Sequence, residues 1–378
     1  MLIPKIKTAD HLASIKTYSG VKPLETIAEE LNIPLEQIIK LDGNENPFDP
    51  LPEVLGALRS LTNIGNYPDM LCSNLIQVLG KKEKIDTKNF IISSGSDELI
   101  ELLMKAYANP SDKILSVSPT FGMISFLAQV NGIKNLAVSQ ELVKEESFAK
   151  YVLNEDQFFE EALRSKIIFI ARPNNPDGSV VSESFIERLV SLSPPVLVVI
   201  DEAYIEFSDS QSLAKWVPNY ENLVVLRTFS KAYGLGGLRV GYGIMPDEIR
   251  KVIISIKQPY NVNIAGQKAA FAALSSPLVD QRITEMKKIR EWFINQLIIV
   301  QNQYKNFWIH QSEACYVLLT FESPEIPKNL YEYLYSKGIL VRYYSSSDMI
   351  NNLRISIGLQ ENMVKVIDEI KLFLKGGN

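Results

Sequence analysis

Four short apolar segments of this 378-residue sequence each end directly in polar or glycine-rich residues that could take part in chemistry. Apolar runs of this kind are typical of the buried strands of a parallel sheet. In open α/β sheets, ligands bind outside the carboxyl ends of the strands, so a site is expected at these ends. The strands are predicted over residues 89–93, 166–171, 196–200 and 222–227, and they are followed by residues 94–100, 172–178, 201–204 and 228–242.

The first strand ends in a turn, Gly95-Ser96-Asp97, which leads into a predicted helix. The unpaired backbone N–H groups and the positive dipole at a helix start form a seat for a phosphate group. Serine and aspartate are also good helix caps, so capping alone would explain these residue types. After the second strand, Asn174 and Asn175 lie between two prolines, a pattern that an ordinary turn would also give.

The third and fourth strands end in an acid and in a lysine. Asp201 directly follows five apolar residues, and a buried carboxylate requires a cation or a strong donor unless it only caps a helix. Lys231 lies among small residues with Arg239 eight positions later, a setting that suits a Schiff base if the site lowers the amine pKa. Gly234-x-Gly236 begins like a dinucleotide fingerprint, but Arg239 occupies the sixth position, which disfavours a nicotinamide cofactor.

Together, the strand ends offer a phosphate seat, an amide, a carboxylate and a lysine with a nearby arginine. Pyridoxal 5'-phosphate needs a lysine for its aldehyde, a carboxylate for its pyridine nitrogen and an anion seat for its phosphate. The sequence therefore predicts pyridoxal 5'-phosphate as the cofactor.

The elements that position these strand ends form two predicted units and an arm. Residues 1–46 are predicted to form an N-terminal arm with a short helix that belongs to the small domain. Residues 47–261 alternate apolar strands with amphipathic helices, which predicts a large α/β domain with a mostly parallel sheet covered by helices. Residues 262–378 combine helices with alternating strands and predict a smaller α+β domain.

Composition excludes several other classes of protein. With 46% hydrophobic and 22% charged residues the chain is typical of globular proteins, and its net charge of −5 disfavours nucleic-acid and anionic-lipid partners. The apolar runs are shorter than the about 20 residues of a membrane span, and no signal-peptide pattern precedes them, so we expect a cytoplasmic protein. Two cysteines and two histidines are too scattered for a disulfide framework or a zinc site, and no metal is predicted.

The sequence resembles the fold-type I pyridoxal-phosphate enzymes, and among them the histidinol-phosphate aminotransferase family. The segment from Ser230-Lys231 to Arg239 is specific to the fold type, whereas residues 95–100 and 201–207 are typical of the family. The resemblance implies an aspartate-aminotransferase-like fold with a seven-stranded, mostly parallel sheet. The matching segments are Leu41–Pro47, Tyr67–Asp69, Gly95–Ile100, Pro119–Phe121, Pro173–Pro176 with Gly178, Asp201–Phe207, Ser230–Arg239, Pro259–Asn263 and Leu353–Ser356.

The resemblance also implies roles for the residues that match family motifs. Lys231 would bind the cofactor aldehyde and later move a proton, and Asp201 would pair with the pyridine nitrogen. Asn175 and Tyr204 would reach the phenolic oxygen of the ring, and Phe121 would stack on its face. The phosphate would be surrounded by Gly95, Ser96, Asp97, Ser230 and Arg239, with Tyr67 contributed by the second subunit of a homodimer.

For the substrate, Arg354 matches an arginine that binds an anion, Tyr18 matches a tyrosine that closes over the substrate, and Asn46 lies in the first matching segment. Arg342 belongs to the same predicted strand region as Arg354. The implied reaction transfers the amino group of L-histidinol phosphate to 2-oxoglutarate in histidine biosynthesis, giving imidazole acetol phosphate and glutamate.

Three residues depart from the family pattern or accompany it unusually. Asp177 replaces a threonine, Arg172 precedes the Pro-Asn-Asn-Pro motif, and Ile124 stands where a tyrosine is common. Because all three are expected near the pocket, the substrate stays open between histidinol phosphate and an aromatic amino acid. A threonine-phosphate decarboxylase on the same fold is a further alternative, whereas a catalytically silent binding domain is disfavoured by the intact Lys231 and Asp201.

Overall fold

The computed structural model describes residues 6–13, 15, 20 and 22–376. Tyr18, which was predicted to bind substrate, lies outside the described residues. The helices are α1 (Leu24–Leu31), α2 (Pro52–Arg59), α3 (Ser73–Glu83), α4 (Ser96–Tyr107), α5 (Gly122–Val130), α6 (Glu155–Ala162), α7 (Glu183–Val190), α8 (Asp247–Ile256), α9 (Ile264–Leu274), α10 (Leu278–Tyr304), α11 (Glu325–Ser336) and α12 (Gln360–Gly376).

The strands of the described residues form two large sheets and one short pair. They are β1 (Ile39–Lys40), β2 (Phe90–Ser93), β3 (Lys113–Ser118), β4 (Lys134–Ser139), β5 (Glu141–Glu145), β6 (Phe148–Val152), β7 (Ile167–Ala171), β8 (Leu197–Asp201), β9 (Leu223–Thr228), β10 (Gly241–Ile244), β11 (Phe307–His310), β12 (Tyr316–Phe321), β13 (Ile339–Leu340), β14 (Arg342–Tyr343) and β15 (Asn352–Ser356). The four strands predicted to lead to the site are all present, as β2, β7, β8 and β9.

The larger sheet has the strand order β2-β10-β9-β8-β7-β3-β4 within the described chain. Only β10 runs antiparallel to its neighbours β2 and β9, so β2, β7, β8 and β9 point in the same direction. Their carboxyl ends therefore lie along one edge of the sheet. The predicted α/β fold with a seven-stranded, mostly parallel sheet is confirmed.

The central strands of this sheet have apolar side chains on both faces. In β7, Ile168 and Ile170 belong to one apolar cluster, whereas Ile167 and Phe169 belong to the cluster on the opposite face. Successive side chains of a strand point to opposite faces, so a wholly apolar strand requires helices on both sides of the sheet.

The smaller sheet has the order β14-β15-β12-β11-β6-β5 in the described residues. Its strands come from two distant parts of the chain, because the hairpin β5–β6 pairs in parallel through β6 with β11. The hairpin lies within the range expected for the large domain, whereas β1 in the arm pairs with β13 near the C-terminus. The proposed domain boundaries stay a prediction.

Every helix in the described part of the chain lacks the length or the apolar stretch that crossing a bilayer requires.

Candidate active site

Two adjoining cavities lie at the carboxyl edge of the larger sheet. We call them the inner cavity, of about 210 Å³, and the outer cavity, of about 660 Å³. They share lining residues Gly43, Phe121, Asn175, Tyr204 and Lys231. The inner cavity is further lined by Ser96, Asp97, Asp201, Thr228, Ser230, Gly236 and Arg239, so most of the residues predicted to bind the cofactor face one space.

Lys231 lies in the turn that follows β9. Asn46 Nδ2 donates to the backbone carbonyls of Lys231 and Ala232, at 3.1 Å each, and this holds the turn from outside the cavity. The lysine Nζ donates to the Gly43 carbonyl at 3.1 Å. Burial, and to a smaller extent the positive charge of Arg354, lower the pKa of the Lys231 amine, which favours the neutral nucleophile.

Asp201 ends β8 and is 7% exposed. Its Oδ1 accepts a hydrogen bond from the Ala203 N–H at 3.0 Å. Burial, reinforced by the negative charge of Asp97, raises the pKa of Asp201 to about 7. Lys231 counteracts this shift only in part, so the carboxylate still requires a cationic partner.

The start of α4 forms an anion seat beside these two residues. Gly95 adopts a φ of 84°, and a Cβ atom there would lie 2.6 Å from Arg239 Nη2. A Cβ on Gly241 would lie 2.4 Å from the Ser96 backbone nitrogen. Arg239 forms an ion pair with Asp97 at 3.4 Å. Two glycines are therefore required where the backbone and a guanidinium group approach the seat.

Asn175 and Tyr204 line the same space from two different strand ends. Arg354 Nη1 donates to Asn175 Oδ1 at 2.6 Å, and Asn44 Nδ2 donates to the Tyr204 hydroxyl at 3.0 Å. These contacts leave the Asn175 amide N–H groups and the Tyr204 hydroxyl hydrogen to donate elsewhere. Burial raises the pKa of Tyr204, so its hydroxyl stays protonated.

Arg342 and Arg354 lie directly opposite each other on β14 and β15, and both line the outer cavity. Arg354 is 7% exposed, and its Nη2 donates to the Asp42 carbonyl at 2.8 Å. Arg342 is less buried and faces the same cavity. The pair provides two positive charges beyond the one at the anion seat.

Among the predicted site residues that the structure describes, Gly95 adjoins the inner cavity through Ser96, whereas Tyr67 and Asn46 lie away from both cavities. Tyr67 is 82% exposed and stacks on Tyr260 with ring centroids 4.6 Å apart. Asn46 contacts the backbone of the lysine turn, which is a positioning contact. Neither belongs to the lining of the inner or outer cavity.

The three departures from the family pattern have structural contacts in the described chain. Asp177 is buried and accepts a hydrogen bond from Asn174 Nδ2 at 2.7 Å. Arg172 donates to the carbonyls of Val181 and Gln211 at 3.1 and 2.8 Å. Ile124 is 1% exposed in an apolar cluster. None of the three lines the inner or outer cavity.

The sequence reasoning missed a buried ionic network behind Asp201. Arg227 Nε donates to Glu202 Oε2 at 3.1 Å, and Arg227 also lies 3.4 Å from Glu83 and 3.8 Å from Glu206. Glu202 is fully buried and accepts from the Leu213 N–H at 2.7 Å. The sequence could have indicated this network, because a charged residue within or directly after a wholly apolar strand needs a partner of opposite charge.

The inner cavity suits a cofactor with an aldehyde, a basic ring nitrogen and a phosphate. The lysine amine has a lowered pKa, the buried carboxylate has a pKa raised to about 7, and the two glycines leave space at the anion seat. The residues present therefore fit pyridoxal phosphate.

Comparison with known proteins identifies the family. The sequence model described as "Aminotransferase class I and II" matches residues 36–370. The chain belongs to this aminotransferase family. The aminotransferase is 38% identical over 368 residues to histidinol-phosphate aminotransferase 1, chloroplastic, of Arabidopsis thaliana, a match that covers 96% of this chain and 85% of that protein. It is 36% identical to a histidinol-phosphate aminotransferase of Roseiflexus castenholzii, over 95% of this chain and 96% of the relative.

Solved structures resemble the aminotransferase over nearly its whole length. Histidinol-phosphate aminotransferase from Sinorhizobium meliloti, in complex with pyridoxal-5'-phosphate, matches with a TM-score of 0.83 and 20% identity over 98% of both chains. A double mutant of Thermus thermophilus aspartate aminotransferase matches with a TM-score of 0.77 and 19% identity, over 97% of this chain and 100% of that one. At these identities the likeness concerns the fold, and it confirms the predicted fold type.

Proposed function

We propose that this aminotransferase transfers the amino group of L-histidinol phosphate to 2-oxoglutarate, with pyridoxal phosphate as its cofactor. The products would be imidazole acetol phosphate and glutamate. The relatives that support this proposal cover 96% and 95% of the chain. The single observation that carries it is that a cavity suited to the cofactor adjoins a larger cavity with two arginines in register.

The cofactor, when bound, supplies an electron sink that makes the Cα proton of the substrate acidic. Asp201 would hold the proton on the ring nitrogen. The Tyr204 hydroxyl and the Asn175 amide N–H would donate to the phenolic oxygen, because Tyr204 Oη already accepts from Asn44 and Asn175 Oδ1 already accepts from Arg354. Gly95, Ser96, Ser230 and Arg239 would hold the phosphate, and Phe121 would cover the ring.

Lys231 Nζ acts as the base that removes the Cα proton of the substrate. Burial favours its neutral form, which is the form that accepts a proton. Asn46 keeps the turn in place through the two carbonyls that it binds. Asn46 therefore positions the base, and a direct contact with substrate remains the prediction made from the family motif.

Arg354 and Arg342 bind the anionic groups of the two substrates. Arg354 is fixed by Asn175 and the Asp42 carbonyl, so it binds the anion nearer to the cofactor. Charge-assisted hydrogen bonds contribute about 1.5–3 kcal/mol each. Arg354→Ala should therefore weaken the binding of both substrates, whereas Arg342→Ala should weaken the binding of the phosphorylated substrate more.

The active enzyme would be a homodimer with shared sites. Tyr67 is exposed on its own subunit, which leaves its hydroxyl available to the cofactor phosphate of a partner subunit. Its stacking on Tyr260 fixes the ring without covering it.

The test compares kcat/KM for L-histidinol phosphate, L-histidinol and L-phenylalanine, with 2-oxoglutarate as acceptor and glutamate formation as the readout. Because two arginines bind the phosphate, kcat/KM for the phosphorylated substrate should be about 100-fold higher or more than for the other two. If removal of the phosphate changes kcat/KM by less than about threefold, an aromatic transaminase is the better assignment. Release of carbon dioxide from threonine phosphate without glutamate formation would instead assign a decarboxylase.

A further inference from the structure

Lys257 is a buried cation outside the two cavities. It follows the last residue of α8 and is 8% exposed. Its Nζ donates to Asn261 Oδ1 at 2.8 Å and to the Met70 carbonyl at 3.1 Å. The Gln258 carbonyl, at 3.5 Å, is a third acceptor. All three acceptors are neutral, and burial lowers the pKa of the lysine. A cation placed in this way has a desolvation cost that its direct partners offset only in part.

Two carboxylates, Glu98 and Asp69, act on the charge of this lysine, and Glu98 is connected to it through one amide. Asn261 Nδ2 donates to Glu98 Oε2 at 2.7 Å, and the same oxygen accepts the Ser94 backbone N–H at 2.6 Å. The direction of both hydrogen bonds is fixed. Asn261 Oδ1 must accept from the ammonium group, and Asn261 Nδ2 must donate to the carboxylate. Lys257, Asn261, Glu98 and Ser94 thus form a continuous chain, which we call the Lys257 chain.

The Lys257 chain ends at the anion seat. Ser94 directly precedes Gly95, and Glu98 lies in the first turn of α4 beside Asp97. Asp97 has Arg239 as its ion-pair partner at 3.4 Å. Glu98 is a second carboxylate in the helix turn that would receive a phosphate dianion, and its charge would oppose that ligand. Lys257 is the cation to which Glu98 is connected by hydrogen bonds.

We propose that Lys257 is a positioning residue of the phosphate seat: it offsets the charge of Glu98 through Asn261 and so holds the Ser94–Ser96 turn in the conformation that binds the cofactor phosphate. This inference rests on the proposed function, because it assumes that the phosphate at this seat belongs to pyridoxal phosphate. The Met70 carbonyl fixes the lysine from its other side.

The experiment titrates cofactor-free protein with pyridoxal phosphate and, separately, with pyridoxal, which lacks the phosphate. Lys257→Met should raise the Kd for pyridoxal phosphate about tenfold and leave the Kd for pyridoxal within about twofold. Glu98→Gln removes the opposing charge, so it should restore the Kd of the Lys257→Met protein to within about threefold of wild type. Lys251→Met, on the exposed face of α8, is the matched control and should change neither Kd.

Asn261→Ala interrupts the same chain while keeping the lysine, and it serves if Lys257→Met does not fold. It should also raise the Kd for pyridoxal phosphate more than the Kd for pyridoxal. An equal loss of both ligands in the folded variants, or no rescue by Glu98→Gln, would overturn the proposal and leave Lys257 as a packing residue. If the wild-type protein binds no pyridoxal phosphate, the proposed function itself fails.

Discussion

At the scale of single residues, the inner cavity changes the protonation of the groups that line it. Burial lowers the pKa of Lys231 and raises the pKa values of Asp97 and Asp201, because low polarity disfavours the charged form of each group. The cavity therefore favours the neutral form of the amine and of both carboxyl groups. A protonated ring nitrogen next to Asp201 would restore the charge of that carboxylate.

Asp201→Asn should stabilise the cofactor-free protein in a pH-dependent way. The pKa of Asp201 is about 7 in the folded protein and about 3.9 when unfolded, so folding loses stability as pH rises between these values. The variant should gain about 2–3 kcal/mol over wild type between pH 5 and pH 8. Urea unfolding at both pH values measures this, with the exposed Asp156→Asn as control.

The same Asp201→Asn protein should lose most of its activity, because an amide cannot hold the ring-nitrogen proton. Unchanged kinetics in the variant would indicate that Asp201 only caps the turn at Ala203.

Lys231→Ala should lower transamination by about 1,000-fold or more, because the variant loses both the nucleophile and the base. Its anion seat is unchanged, so it should still bind pyridoxal phosphate without a covalent bond. Borohydride reduction followed by mass spectrometry measures covalent attachment, which should be present in wild type and absent in the variant. Full turnover by Lys231→Ala would refute the assignment of the base.

At the scale of elements, the smaller sheet contains a polar chain that crosses three strands. Thr320 Oγ1 on β12 donates to Asn352 Oδ1 on β15 at 2.6 Å, so the same oxygen accepts from His310 Nε2 on β11 at 2.9 Å. Nε2 therefore carries the hydrogen of the neutral ring. His310 Nδ1 has no hydrogen-bond partner among the described residues, and burial lowers the pKa of His310 to about 3.

His310 should make the protein sensitive to mild acid. Between pH 6.5 and about 3 the unfolded chain binds a proton that the folded imidazole does not, so stability falls as pH falls through this range. From pH 7.5 to pH 5, wild type should lose about 2 kcal/mol more than His310→Gln. Urea unfolding at the two pH values measures the difference. The exposed His11→Gln should follow wild type, and an identical loss in His310→Gln would contradict the prediction.

At the scale of the whole molecule, the outer cavity lies where the two sheets meet. Lys231 follows a strand of the larger sheet, whereas Arg342 and Arg354 belong to the smaller one, and all three line this cavity. Arg354 Nη1 reaches Asn175 Oδ1 across the boundary at 2.6 Å. Substrate binding thus depends on the packing of the two sheets, and Tyr67 extends this dependence to a second subunit in our proposal.

Shared sites should be detectable by subunit mixing. Tyr67→Phe and Lys231→Ala should each be impaired alone, because one lacks the phosphate contact and the other lacks the base. After reassortment, half of the dimers would combine both proteins and carry one intact site, which restores about a quarter of wild-type activity. Activity assays before and after mixing measure the gain. No gain, with Tyr67→Phe impaired alone, would contradict sharing across the interface.

The sequence by itself determined where the four central strands lie and which residues follow each of them. Continuous apolar runs can be satisfied only in a sheet that is buried on both faces, and parallel strands bring their carboxyl ends to one edge. Asp201 and Lys231 could therefore be assigned to a common site before their distance was known. Both signals are local, since they depend on residue type and spacing within one segment.

Only the tertiary structure decided which distant segments meet. The hairpin β5–β6 joins the smaller sheet, Arg342 faces Arg354 across β14 and β15, and Lys257 connects to Glu98 through Asn261. Periodicity reports that a side chain is buried but not which partner buries it, because the partner is selected by non-local packing. For the same reason the sequence predicts that a buried carboxylate such as Glu202 has a cationic partner, but only the fold identifies that partner as Arg227.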